Sequence, residues 1–414
     1  MEKAVDRISD LPTHLMDQIL VRLPIKEAVR TSILSTKWRY KWASIPELVF
    51  HNDLECHPID GRRLVDIVDH VLRSHVGPTV KFEACHEDVY DSRTINRWIL
   101  RLSRMHIGEF VFYNIHWKGH RLSTRLFALR DLVHLQLSWC IIKLPVRFTG
   151  LRKLDSLELT SVSLTQDDIE LLISSSPRLT KLRLHHLIDD VECLNISAPN
   201  LKVIDIWSSY QDINFQTPNC LFSVAVGLYR DSRHFKPRLN VSSRSLQGFL
   251  LDLPLTQTLK FKNCALKCFS EGHIPEKLPQ PCTQLKYLSF AIDFGSPKEI
   301  LTAFCLLRSC PNLEEVEFKE EYGSRKPFEQ VKFLPFSNTG GLEAEIGLMK
   351  FLLVNSPGLK RIKVQVSYYE RVREVYLEKL VELPRASPQV RIIYEHDSLK
   401  FDQEFDDEIL PEVA

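Results

Sequence analysis

The chain has 414 residues, 44% of them apolar, with 54 lysines and arginines against 53 aspartates and glutamates and a formal charge of +1. That balance removes the electrostatic case for nucleic acid or an acidic membrane as partner, and no apolar run approaches the length needed to span a bilayer. The first ten residues, MEKAVDRISD, are too polar for a signal peptide, so an intracellular protein, nuclear and/or cytoplasmic, is expected.

The first stretch, residues 6–46, predicts a compact helical unit. Leu15, Ile19 and Leu23 fall four apart with Met16 and Leu20 beside them, which makes one wide helix face apolar. Asp10 is placed to cap that helix, Pro12 sits in its first turn, and Pro24 stops it. A second short helix is expected over Lys26 to Ser32, with Ala28, Val29 and Ser32 inward; Ser35 is then placed to cap a third that carries Trp38 and Trp42 on one side. Three short helices cannot bury so many large apolar groups among themselves. The surplus either packs on the rest of the chain or forms a docking face.

The spacing LPxxLxxxILxxLPxKEAVxxSxLSxxWRxxW in this stretch closely resembles an F-box, in the version common in large plant families. The resemblance implies that the unit holds the adaptor Skp1 of a cullin–RING ubiquitin ligase. It assigns the contact to Leu11, Pro12, Ile19, Leu20, Leu23, Pro24, Val29, Leu34, Ser35, Trp38, Arg39 and Trp42.

Residues 47–131 read as a polar junction followed by two helix–strand pairs. Leu64 to Leu72 has helical spacing, ended by Gly77-Pro78, and Thr79 to Phe82 with Ala84 reads as a strand. Thr94 to Leu102 reads as a helix and Glu109 to Ile115 as a strand, an alternation that points to parallel strands backed by helices.

Over residues 132–340 a motif L-x-x-L-x-L returns: Leu132-Leu135-Leu137, Leu154-Leu157-Leu159, Leu179-Leu182-Leu184 and Leu201-Ile204-Ile206, at leucine-rich-repeat pitch. Later copies are Thr256-Leu259-Phe261, Leu285-Leu288-Phe290, Leu313-Val316-Phe318 and Leu359-Ile362-Val364. In x-L-x-L the two apolar residues point inward from a short strand and the alternate ones outward. The outward set is Gln136, Glu158, Arg183, Asp205, Lys260, Ser289, Glu317 and Lys363, the candidate substrate-facing residues; it mixes both signs and favours no single ligand type. Cys140 and Cys264, eight positions into their copies, are expected as buried structural thiols bonded to the backbone of the neighbouring turn. Val191-Leu194-Ile196, only twelve residues after Leu179, reads as an extra rung without a helix, and residues 207–250 give no clear register. Helices are expected at Asp167 to Ser174, Ile300 to Ser309 and Leu348 to Val354, each running into a Ser-Pro or Ser-Cys-Pro turn that opens the next strand.

Residues 341–394 resemble the FBD domain that accompanies F-box and leucine-rich repeats in plant proteins, on Lys350-Phe351-Leu352-Leu353, Ser356-Pro357, Leu359 to Val364 and Pro384-Arg385-Ala386-Ser387-Pro388. Helix followed by strand is expected twice here, as an α/β cap. Residues 395–414 turn acidic and read as a flexible tail.

The expected fold class is therefore α/β: a small three-helix N-terminal F-box, an irregular leucine-rich-repeat solenoid and an FBD-like end. The family resemblance implies a non-catalytic substrate receptor of an SCF (Skp1–cullin–F-box) ligase, reaching cullin and RING protein through Skp1. Two alternatives stand beside it. One is a Skp1-binding scaffold that forms no productive ligase; the other is a metabolite-dependent receptor, which would need Lys181, Arg183, Lys202 and Lys260 gathered in one pocket. The ten cysteines lack the density of a disulfide scaffold and are expected as free thiols. The spacing of Cys264, Cys268, His273 and Cys282 fits no familiar zinc module, and no metal or cofactor is expected.

Overall fold

The computed structural model describes residues 8, 11–50, 64–86, 92–114, 119–189, 191–216, 220–228, 246–320, 339–366 and 383–396. The chain divides into two compact units, Met1–Thr256 and Gln257–Ala414.

The first unit opens with α1 (Thr13–Val21) and α2 (Ile25–Arg30). Prolines introduce both: Pro12 and Pro24 take the N-cap positions with extended ψ, and neither helix has a side-chain cap; Asp10 lies outside the described residues. The expected third helix is instead two 3-10 turns, Thr31–Ile33 and Lys41–Ser44, with Ser35 to Tyr40 in turns between them. Ser35 accepts the Trp38 amide through its carbonyl, while its hydroxyl has no hydrogen-bond partner among the described residues. The strands and helices that follow are β1 (Glu47–Phe50), α3 (Leu64–Ser74), β2 (Lys81–His86), α4 (Ser92–Leu102) and β3 (Glu109–Asn114). Next come β4 (His120–Arg121), β5 (His134–Ser138), β6 (Cys140–Ile141), β7 (Ser156–Thr160), α5 (Gln166–Ser174) and β8 (Lys181–His185). The unit closes with β9 (Val191–Ile196), β10 (Val203–Ser208), β11 (Tyr210–Phe215), β12 (Ser223–Leu228) and α6 (Leu246–Leu251).

Strands β1, β2, β3, β5, β7, β8, β10 and β12 pair in that order, and every pairing is parallel. Their inward residues, among them Leu48, Phe82, Phe110, Leu135, Leu157, Leu182, Ile204 and Val224, are at most 1% exposed and form one continuous apolar layer. Burying each such side chain is worth about 1.5–3 kcal/mol against leaving it in water. Phe82 stacks on Phe110 in the next strand and meets Trp98 of α4 from behind. Strand β1 takes the first residues of the segment expected to open as a polar junction, and β12 is a repeat copy with valines at the inner positions, Leu221-x-x-Val224-x-Val226.

The extra rung at Val191 does not enter this ladder. Strand β9 pairs with β11 in a separate two-stranded parallel sheet and packs on α5, where Gln166 donates to the Cys193 carbonyl and Glu170 accepts from the Asn195 amide. Its alternation is a return leg built as a strand in place of a helix.

A turn rule recurs seven positions after four of the opening motif residues, Leu132, Leu154, Leu179 and Thr256. Trp139, Ser161, His186 and Asn263 all have φ near +50°, although none is glycine. Trp139, Ser161 and His186 each donate their amide to the end of the following strand, to Thr160, His185 and Trp207 carbonyls. The reversal aims the next residue inward, so Cys140 and Val162 are fully buried. Cys140 donates its thiol to the carbonyl of Ser138 in its own chain segment, 3.2 Å away, and it is the backbone that links neighbouring turns, Ser163 donating to the Cys140 carbonyl.

The second unit contains β13 (Thr258–Asn263), α7 (Ala265–Ser270), β14 (Tyr287–Ile292), α8 (Pro297–Ser309), β15 (Glu315–Glu320), α9 (Thr339–Asn355), β16 (Arg361–Val366) and β17 (Arg391–His396). Its five strands also pair in parallel and in order, so the FBD-like residues supply the two last rungs, β16 and β17. Ser296 caps α8 on the Glu299 amide with Pro297 at the first position. The second expected FBD helix lies outside the described residues, as does the acidic tail from residue 397; its first two residues, Glu395 and His396, instead complete β17 in register with β16.

Candidate functional site

Helix α1 shows how the N-terminal face is made. Met16 and Leu20 turn inward, Leu20 to 1% exposure, while Leu15 and Ile19 stay outside at 36% and 41%. Trp38 is locked beneath by an indole hydrogen bond to the Ile8 carbonyl, 3.2 Å. Trp42 is buried too, its ring 6.1 Å from His70 of α3. The expected adaptor contacts therefore separate by depth. Leu20, Trp38 and Trp42 are inside; Leu11, Leu23, Val29 and Ser35 are half-buried; Pro12, Ile19, Pro24, Leu34 and Arg39 are exposed. Five residues outside that set join the exposed group: Ile8, Leu15, Val21, Ile33 and Tyr40. Leu15 is on the stripe with Ile19, so helical spacing marks it; Ile33 and Tyr40 follow irregular turns and carry no periodic signal. The result is an apolar surface supported from behind by a rigid indole.

The outward strand residues fall into register. In the first unit Gln136 sits beside Glu158, Glu158 beside Arg183 and Arg183 beside Asp205. Arg183 reaches both acids, at 3.0 Å to Glu158 and 3.8 Å to Asp205, and His185 stands 3.2 Å from Asp205. The Arg183 guanidinium is thus paired with carboxylates, which counts against its serving as the cation of a metabolite site. Burial, reinforced by Glu83 and Glu158, pushes the nearby Tyr113 phenol well above its ordinary range. In the second unit Lys260 lies beside Ser289, Ser289 beside Glu317 and Glu317 beside Lys363. Tyr287 donates its hydroxyl to Glu317, and Lys260 stands 5.4 Å from the Tyr287 ring centre.

Burial alone pushes the Cys140 thiol far up, which suits a structural role and not a nucleophile. No helix among the described residues is long and apolar enough to cross a membrane.

Comparison with known proteins matches the F-box domain family to residues 8–49 and the family described as "FBD-associated F-box protein At5g56370, LRR repeats" to residues 95–318. The F-box/FBD/LRR-repeat protein At1g13570 of Arabidopsis thaliana is 31% identical, covering 96% of this chain and 100% of its own length. The chain belongs to the F-box/FBD/LRR-repeat family. Two further Arabidopsis thaliana relatives, the F-box/FBD/LRR-repeat protein At1g51370 and the FBD-associated F-box protein At1g66310, are 27% and 26% identical. They cover 92% and 94% of this chain, and 94% and 96% of their own. In this F-box protein the F-box match coincides with the helices whose apolar residues face out, and the repeat match with the ladder of parallel strands.

Proposed function

We propose that this F-box protein is a substrate-recognition subunit of an SCF ubiquitin ligase. It docks on a Skp1-like adaptor through the apolar face around Ile19 and Leu34, and through that adaptor joins cullin and RING protein. The chain itself is non-catalytic and supplies proximity, holding a target so that its lysines meet the charged E2. The target is held by outward strand residues: Gln136, Glu158, Arg183 and Asp205 in one unit, Lys260, Ser289, Glu317 and Lys363 in the other. The observation that carries the reading is that Ile19 and Leu34 remain 41% and 47% exposed within the F-box match while Leu20 and Trp38 are buried. An interface needs such large apolar anchors on a pre-organised support.

The test is reconstitution of the full chain with Skp1, cullin and RING protein. Retention of the chain by Skp1, and ubiquitin transfer to a protein that it captures, is the expected result. A folded chain that Skp1 does not retain would overturn the proposal. Retention without transfer to any captured protein would leave a scaffold or sequestering protein instead.

A further inference from the structure

Cys282 and Cys310 occupy the same place in successive repeats, three residues ahead of the motif residues Leu285 and Leu313. Strands β14 and β15 pair in parallel with an offset of 28 positions, Leu288 against Val316, and the same offset carries Cys282 onto Cys310. The backbones meet there: the Cys282 amide donates to the Ser309 carbonyl at 2.8 Å, the bond a parallel pairing makes when Cys282 lies opposite Cys310. Neighbouring strands run about 4.8 Å apart, within the Cα separation of about 4.4–6.8 Å that a disulfide spans. Both cysteines are free thiols in this structure; Cys282 is half-buried and Cys310 is buried at the end of α8.

We propose that Cys282 and Cys310 form a peroxide-responsive dithiol, an oxidation site that closes into a disulfide stapling two adjacent repeats. The Cys282 thiolate attacks the O–O bond of hydrogen peroxide, giving Cys282 sulfenic acid and releasing hydroxide, which takes up the thiol proton as water. The Cys310 sulfur then attacks the Cys282 sulfur, the S–S bond forms, the S–O bond breaks, and a second water leaves with the remaining proton. Two thiols lose two electrons and one peroxide is reduced to two waters. The roles follow from the environments. The hydrogen bond with Cys310 holds the Cys282 thiol below its ordinary range, whereas that same bond and burial push Cys310 up. The accessible member of the pair is thus the better thiolate, and the buried one resolves it. Cys305, the third thiol of the neighbourhood, lies inside α8 and is pushed up chiefly by burial, which leaves it a bystander.

The experiment treats the full-length reduced chain with hydrogen peroxide, blocks remaining thiols with an alkylating maleimide, and maps a tryptic digest without reduction. Cleavage separates the three thiols onto Leu278 to Lys286, Glu299 to Arg308 and Ser309 to Lys319, so the assignment is unambiguous. The expected product joins the first and third peptides, two hydrogens lighter than their sum, and dithiothreitol separates it. Cys305→Ser leaves that product intact. In Cys310→Ser, Cys282 stops at the sulfenic acid and is trapped by dimedone; should this variant not fold, the parent map decides alone. Recovery of Cys282 fully alkylated, over-oxidised without a partner, or joined to the Cys305 peptide overturns the proposal.

Discussion

The indole nitrogen of Trp98 donates to Asp69 across 2.9 Å, joining α4 to α3 through a carboxylate that is only 6% exposed. The other carboxylate oxygen takes a 2.6 Å bond from Arg97, so the acid is satisfied on both sides. Asp69→Ala strands a buried indole N–H and leaves Arg97 without its acid, a loss of about 2–4 kcal/mol. Asp69→Asn keeps an acceptor for Trp98 and costs less. Urea unfolding followed by tryptophan fluorescence measures both, and equal midpoints for the two variants would refute the role given to the indole bond.

Gly150 holds φ at +86°, and a Cβ at that position would run into the Ser175 carbonyl oxygen at the end of α5. Gly150→Ala therefore meets a strained backbone and a hard contact together, and is expected to cost more than about 2 kcal/mol. Gly272 has nothing within 4 Å and no positive φ, so Gly272→Ala is the control and is expected to stay within about 0.5 kcal/mol of the parent. Thermal unfolding of the two variants side by side checks the difference.

Glu299 is 1% exposed; one oxygen accepts the Asp293 amide at 2.9 Å, and the other has no hydrogen-bond partner among the described residues. Burial pushes its carboxyl above the ordinary value of 4.5. The native state then holds the proton that the unfolded chain releases, so stability is full below about pH 4.5 and falls as pH rises through the raised folded value. Glu299→Gln keeps the acceptor and removes the ionisation. Its denaturant midpoint is expected to exceed the parent's at pH 7.5 and to converge with it near pH 4; a gap that widens on acidification would reverse the sign and sink the assignment.

On the F-box face, depth separates contact from support. Ile19→Ala and Leu34→Ala are expected to weaken Skp1 retention by at least about tenfold each, as hot-spot truncations do. Their melting temperatures should stay close to the parent's, because both side chains are substantially exposed. Trp38→Ala removes a buried indole and should cost about 3–5 kcal/mol of stability before binding is considered. Calorimetric titration with Skp1 beside a melting curve distinguishes the two classes.

Much of the repeat region was legible because a parallel strand with one buried face writes its orientation into alternate residues. Leu135 and Leu137 mark a rung, and Gln136 between them is outward by necessity. The rung at Val224 and Val226 carries the same signal in smaller residues, which stand out less from their surroundings. Strand β9 was legible as a strand but not as a member of a second sheet, since alternation tells which residues share a face and not which ladder accepts them. The left-handed turns at Trp139, Ser161 and His186 had no local signal, because tertiary hydrogen bonds to the next strand impose them on residues with no preference for that region.

In the N-terminal unit the sequence by itself determined that apolar residues exceed what three short helical segments can bury, and its spacing carried the family. Which of them face out was decided by the tertiary structure. Helix α1 carries one wide apolar face, so Leu15 and Ile19 compete with Met16 and Leu20 for the inside, and only packing against the turns at Trp38 and Trp42 settles the rotation. The same division holds for the thiols: the chain determines that Cys282 and Cys310 recur at one place in the repeat, but they stand opposite each other only because the parallel register of β14 and β15 equals their separation. Periodicity is a local property of the chain, whereas register and rotation are set by what lies across the interface.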